Sequence, residues 1–364
     1  DLHLPGRMAD TLILPVGGVD WGRLSQCTRS RKARGSHIDS KGAWWYRKVS
    51  ERYTPQAPRV RLRGLNISRQ GDGSVFINGF LLFDVDLFDG SSIESGLAEA
   101  RAEAPLNVEF LRSHLPGFEK AMWLDDVSHL YFRESRYIRA EYQLKLSDVL
   151  ENRDFSDAVA VGSYPVDHQS YSPHDPGIIY GRPNAYAVSI RSLIPLNIDN
   201  MLVVGRCAGC TSLAAGSART IPLGMAEGEA AAMAAYFSIR HDVGFRELAR
   251  SPDMISELQM ALVSRGLVIH PPKPYPSPFA DNPYRQQLLE ALDLGLIDGG
   301  YDNNFHLDKL SSVEQITQVW HEAYRRRFGK PPPQLAAEWP KDWPSSLPKW
   351  RVIRAIMPML RLEN

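Results

Sequence analysis

The sequence predicts an α/β protein, with a mixed body of strands and helices followed by a helical C-terminal module. Three stretches carry that expectation. Residues 59–82 alternate polar and apolar positions around Gly71-Asp72-Gly73, the pattern of a β-hairpin. Residues 199–240 read as a short apolar strand, a loop of small residues and a helix rich in Gly and Ala. Residues 284–327 read as a helix, a Gly-rich turn and a second helix.

Bulk properties narrow the function classes. The chain has 364 residues, 43% hydrophobic and 23% charged, with a formal net charge of zero. That length suits two or three domains of ordinary globular composition. Balanced charge offers no basic surface for nucleic acid or an anionic membrane. No apolar run reaches the roughly 20 residues that a membrane-spanning helix needs. The chain opens on Asp1 rather than Met, so its start is read as a processed or truncated end. Location stays open between cytoplasm and cell envelope. The cysteines are Cys27, Cys207 and Cys210, an odd count that argues against a disulfide framework. Cys207 and Cys210 have CxxC spacing, but no second pair or flanking His accompanies them. They are read as small residues in a tight loop, and no metal site is expected.

In order, residues 11–16 form an apolar strand ending at Gly17-Gly18. The basic loop that follows holds Trp44-Trp45-Tyr46, which either line a cleft or anchor the loop by packing. After the hairpin, residues 91–104 and 107–114 read as two helices, the first capped by Ser91 or Ser92. In Arg133-Glu134-Ser135-Arg136, a strand would send Arg133 to one face and Glu134 to the other. Apolar neighbours on both sides imply that these charges find partners. Residues 147–150 read as a capped turn, and residues 158–164 as a strand leading to Asp167-His168. Asp167, His168, His174 and Asp175 are ligand types without a metal-binding spacing. His168 suits proton transfer, because imidazole changes charge near neutral pH.

Four ordered blocks then resemble one family. They are Arg133-Glu134-Ser135-Arg136-Tyr137-Ile138 with Tyr142; Gly162-Ser163-Tyr164-Pro165-Val166-Asp167-His168; Arg191-Ser192-Leu193-Ile194-Pro195 with residues 200–207; and Gly216-Ser217-Ala218-Arg219-Thr220-Ile221-Pro222 with residues 228–235. This pattern is similar to FAD-dependent oxidoreductases of the glutathione-reductase-like superfamily, in the xanthan-lyase-like branch. The resemblance implies an α+β substrate domain plus the returning strand and helix of an FAD-binding three-layer domain. It also implies FAD as cofactor and hydride or electron transfer with a small-molecule or carbohydrate-type substrate. Arg133, Glu134, Arg136, Tyr164, His168 and Arg191 are then the candidate catalytic residues. Gly205, Arg206, Cys207, Gly216, Ser217, Arg219, Pro222 and Gly224 are the candidate cofactor contacts. The helix opening at Pro222 would aim its positive end at the flavin ring. Gly224, Gly228, Ala231, Ala232 and Ala235 would form a smooth ridge against sheet or cofactor.

The family's N-terminal GxGxxG turn has no counterpart in this sequence. The ADP-gripping part is therefore expected from a missing N-terminal segment or a separate chain. The expected division is 1–157 substrate domain, 158–240 return to the FAD domain, 241–283 helix and Pro-rich linker, 284–330 helical module and 331–364 extended tail with a short helix. The 284–330 stretch resembles a single S-layer-homology-like repeat. That leaves an alternative: a non-catalytic binding or cell-surface protein on the same scaffold.

Overall fold

The computed structural model describes residues 6–30, 35–124, 129–332 and 346–360. Most of the expected extended tail lies outside the described residues. The architecture is mixed α/β, and the chain divides into two compact units. The first comprises Gly6–Arg133 with Ser170–Pro176; the second comprises Glu134–Gln169 and the chain from Gly177 onward.

The first unit contains β1 (Asp10–Gly17), α1 (Trp21–Arg29), β2 (His37–Ile38), β3 (Gly42–Trp44), α2 (Arg47–Ser50), β4 (Val60–Arg69), β5 (Val75–Leu82), α3 (Gly90–His114) and β6 (Met122–Trp123). Its six strands form one antiparallel sheet in the order β2-β3-β4-β5-β1-β6. The predicted hairpin is present as β4 and β5. Gly73 turns the chain at φ +86°, and the Asp72 carboxylate accepts from the Ser74 N–H at 2.9 Å. Alternation sets the faces: Leu62, Ile67, Val75 and Ile77 are buried, whereas Asn66, Ser68 and Phe76 are exposed. One sheet face thus joins the core with α3, and the other is exposed around Asn66, Ser68 and Phe76.

Two helices were expected between residues 91 and 114, but α3 is a single 25-residue helix running through Pro105. Proline removes one intrahelical bond. The buried positions Ala100, Ala104, Val108 and Leu111 nevertheless keep one helical phase across it, so packing of a continuous apolar stripe outweighs the local break. Its cap is Asp89 rather than Ser91 or Ser92.

The second unit contains α4 (Leu146–Leu150), β7 (Ala158–Gly162), β8 (Asp167–His168), β9 (Ile178–Ile179), β10 (Tyr186–Ser189), α5 (Ser212–Ala218), α6 (Ile221–His241), α7 (Phe245–Arg250), α8 (Pro252–Ser264), α9 (Arg285–Asp293), β11 (Leu310–Ser312), α10 (Val313–Phe328), β12 (Ser346–Pro348) and α11 (Lys349–Met359). One core joins α4, β10 and α5 to the C-terminal helices through side chains such as Leu213, Leu292, Trp320 and Ile353. A second core lies among β7, α6, α7 and α8, where Val159, Ala230, Ala234 and Leu258 meet. Phe279 anchors the Pro-rich segment in the first of these cores, its ring 4.7 Å from that of Phe305.

Three local expectations change here. Residues 201–204 form no ladder among the described residues; Val204 is extended, and the Val203 N–H donates to the Leu193 carbonyl at 2.8 Å. A strand needs neighbours on its hydrogen-bonding edges, and no described strand lies beside this one. The expected loop at 207–218 instead folds from Ser212 as α5, capped by Thr211. Residues 130–142 make isolated bridges at Tyr131 and Ala140 rather than a strand.

Candidate functional site

The chain separates Arg133 from Glu134, which close the first unit and open the second. Arg133 is buried and acts within the first unit. Its guanidinium donates to the Ala9 carbonyl at 2.7 Å, to the Thr11 hydroxyl and to Asn78 Oδ1 at 3.1 Å. Asn78 lines an open groove of about 500 Å³ on the exposed sheet face. Cross-strand pairing sets Trp44, Asn66 and Asn78 side by side across β3, β4 and β5. Ser68, Phe76 and Ile13 line the same groove. The Arg133 contact occupies the carbonyl side of the Asn78 amide and so fixes which side presents its N–H donors.

Glu134 is buried in the second unit, where it accepts from the Tyr137 hydroxyl at 2.9 Å and from the Ser212 hydroxyl. Ser212 also receives His168: the imidazole Nε2 lies 2.7 Å from the Ser212 carbonyl. A carbonyl only accepts, so Nε2 carries a proton. Burial depresses the His168 pKa, opposed by the nearby Glu134 carboxylate. The imidazole is therefore neutral at neutral pH. Gly216 gives it room, since a Cβ there would sit 3.0 Å from His168 Cδ2. Two predicted residues 34 positions apart thus share one buried knot through Ser212. Tyr137 and Ser212 were not singled out in the sequence, because only the fold brings α5 against residues 134–137.

Arg136 is exposed and stands outside that knot. Arg191 does too: its fork spans Asp157 at 2.7 and 3.3 Å, and that carboxylate raises its pKa. Ser189 donates to the same carboxylate at 2.6 Å, which leaves Arg191 holding β10 to the residues before β7.

The cofactor candidates converge around α5 and the start of α6. Gly205 has φ +71°, and a Cβ there would meet nothing within 4 Å. It opens the turn Gly205–Cys207, in which Arg206 and Cys207 are exposed. Gly224 packs against this turn; its added Cβ would lie 3.3 Å from the Gly205 Cα. Ser217 is buried, donates to the Tyr164 carbonyl at 2.5 Å and pairs with the Tyr186 hydroxyl at 2.9 Å. The Tyr164 side chain is exposed. Arg219 reaches the Asp167 carbonyl at 3.3 Å, while its buried Nε meets no partner among the described residues. Helix α6 begins at Ile221 with Pro222 second, one position from the expected start. Its leading residues are exposed, and Thr220 supplies no side-chain cap.

The two sides of α6 differ. Leu223, Glu227, Ala230, Ala234 and Phe237 form its buried stripe. The Gly/Ala ridge expected to pack closely lies off that stripe, and an added Cβ on Gly228 would meet nothing within 4 Å. Glu227 was also missed in the sequence. It is 2% exposed and accepts the Gly205 N–H at 2.6 Å. Burial pushes its carboxyl up to about 7, with the Gly205 N–H pulling the other way. Its spacing of four and three within the buried stripe was the available signal.

Among the described residues, no group of three His, Cys, Asp or Glu is placed to hold a metal. No helix there is long and apolar enough to cross a membrane.

A glycine turn with open space on its Cβ side thus stands against the uncapped start of α6. A family model described as FAD dependent oxidoreductase matches residues 6–262, more than half of the chain, and the chain belongs to that family. No curated protein and no solved structure matches it. Membership supports FAD as cofactor, FAD-linked oxidoreductase activity and a small-molecule substrate.

Proposed function

We propose that this chain carries the flavin-ring side of an oxidoreductase of the glutathione-reductase-like, xanthan-lyase-like branch. Its reaction is hydride or electron transfer with a small-molecule or carbohydrate-type substrate. The observation that carries the reading is the open Gly205 turn packed by Gly224 beside the uncapped start of α6. The residues present fit the cofactor: no described atom lies within 4 Å of a Cβ at Gly205 or Gly228, and the buried Arg219 Nε has no partner among the described residues. Gly205, Arg206 and Cys207 would hold the ribityl side. Arg219, Pro222 and Gly224 would surround the ring edge, with the buried Gly216 and Ser217 packed behind them. Bound FAD supplies reversible acceptance of two electrons.

The chain's own residues supply orientation and charge. The first N–H groups of α6 and the Arg219 guanidinium favour negative charge beside them. Ser217 fixes the backbone of Tyr164. The Glu134–Ser212–His168 knot holds α5 and β8 in register and keeps a proton on His168 Nε2. Indole, phenyl, amide and hydroxyl groups in the sheet groove fit the apolar faces and hydroxyls of a sugar-like substrate.

The ADP-gripping part comes from a preceding segment or a separate chain. Support lies in residues 201–204, which have no ladder partner among the described residues, and in the exposed Ile221, Met225, Tyr236 and Ile239 of α6. The test is purification together with that part, followed by addition of FAD. Visible flavin absorption is expected, and Gly205→Val abolishes it by forcing a β-branched residue into φ +71°. A colourless complex that takes up no FAD overturns the reading.

The second reading, a surface protein anchored by the S-layer-homology-like repeat, draws on the order α9, Gly-rich turn, α10. Against it, Arg326 of α10 occupies that turn, donating to the Leu294 and Gly295 carbonyls at 2.7 Å each. Retention on cell-wall polymer would favour this reading and an envelope location.

A further inference from the structure

We propose that Glu227 is a positioning residue whose ionised carboxylate locks the Gly205–Cys207 turn, so that the shape of this turn is linked to protonation. The geometry comes first. Glu227 lies on the buried stripe of α6, between Leu223 and Ala230. Its Oε2 receives the N–H of Gly205 at 2.6 Å, across 22 residues of chain. That N–H belongs to the left-handed residue that starts the turn. Gly224, one helical turn before Glu227, packs against the same Gly205. The turn is therefore gripped at one point by contact and at one point by a hydrogen bond.

The bond is sensitive to charge. An ionised carboxylate accepts an N–H more strongly than a neutral carboxyl does. Among the described residues no cation compensates Glu227; burial is the dominant influence on it and pushes it up to about 7. Its neighbours do not override this. β7 carries no ionisable residue. α7 and α8 carry Arg246, Glu247, Arg250, Asp253 and Glu257. Of these, Arg246 is committed to Glu141 and Asp199, and Glu257 to Arg240 and His241. The turn itself carries Arg206 and Cys207. Tyr186 and Cys210 feel the Glu227 charge, and burial keeps both protonated. Below its midpoint the latch loosens; above it the turn is held.

The connection to the cofactor rests on the flavin reading above, whereas the latch does not. If Gly205 lines FAD, affinity for FAD rises about tenfold from pH 5.5 to 8.5, as expected when a neutral acceptor becomes a charged one.

The test uses the chain labelled with ¹⁵N-glycine, without FAD. The Gly205 amide proton should shift with a midpoint near 7. In Glu227→Gln, which keeps an acceptor but cannot ionise, that shift should vanish. In Glu227→Leu the amide should lose its downfield position at every pH. A Gly205 signal that does not titrate in the wild type, or still titrates in Glu227→Gln, overturns the latch. With FAD and the ADP-gripping part added, equal affinity across the pH range overturns the link to the cofactor. A Gly205 signal that titrates in a complex binding no FAD overturns the flavin reading and leaves the latch standing.

Discussion

Two long helices each bury a glutamate, and the two are treated differently. On α3, Glu103 is 3% exposed and accepts from the Tyr53 hydroxyl at 2.5 Å and the N–H groups of Gln56 and Ala57 at 3.0 and 3.1 Å. On α6, Glu227 is equally buried, and its one recorded donor is the Gly205 N–H. A carboxylate with three donors acts as a structural fastener for the loop before β4. A carboxylate with one donor and no cation stays poised to take up a proton. Similar burial thus yields a carboxylate held by three donors in one unit and one held by a single N–H in the other.

The sharpest way to break this comparison is Glu103→Leu. It strands three donors inside the first unit, and should cost about 3–5 kcal/mol. Urea unfolding measures it. A loss below about 1 kcal/mol would mean that Glu103 is no strut.

Glu227→Gln should act in the opposite direction, and only at high pH. The folded-state value of about 7 lies above the ordinary glutamate value of 4.5. Between these values the folded protein binds the proton that the unfolded chain has released. The associated stability is complete below about pH 4.5 and is lost as pH rises through 7. The gap between 4.5 and about 7 corresponds to about 3–4 kcal/mol as an upper figure. A buried amide leaves one donor unmatched, so the gain for Glu227→Gln at pH 8 should be nearer 2 kcal/mol. Melting temperature followed from pH 5 to 8 should fall in the wild type and stay flatter in the variant. Parallel curves would remove Glu227 from the titratable class.

The contrast also shows what sequence makes legible. The hairpin β4–β5 was readable because alternation and a Gly-Asp-Gly turn are local signals. Pro105 misled because its local cost is visible, whereas the stripe that overrides it needs a partner surface. Residues 201–204 misled in the converse way: strand-like composition predicts a conformation, but a ladder requires an adjacent edge. At the site, Glu134 and His168 were singled out separately, but their link through Ser212 joins segments far apart in the chain. Glu227 was hidden by its neighbours. The Gly/Ala ridge marks the open side of the helix, whereas the acid lies on the packed side, where only its spacing within the buried stripe signals it.

The sheet groove offers a smaller effect, on binding rather than folding. Asn78→Ala removes the amide that Arg133 orients, and Trp44→Ala removes the aromatic wall beside Asn66. Each should raise KM by about tenfold while leaving kcat within a factor of about two, the pattern of lost uniform binding. A drop in kcat with constant KM would place these groups at the reacting atoms.

The smallest expected change lies on α6, off the stripe that holds Glu227. Gly228→Ala adds a methyl group where no described atom lies within 4 Å, and replaces glycine inside a helix. It should stabilise the protein without FAD by about 0.5–1 kcal/mol, because alanine gives up less backbone freedom. Gly228→Phe fills the same space and should block FAD uptake while leaving the melting temperature within a few degrees of wild type. The pair separates two demands on one position. If Gly228→Phe binds FAD as wild type does, the open ridge is not part of the cofactor site. The contacts at Gly205 and the start of α6 would then have to carry that site alone.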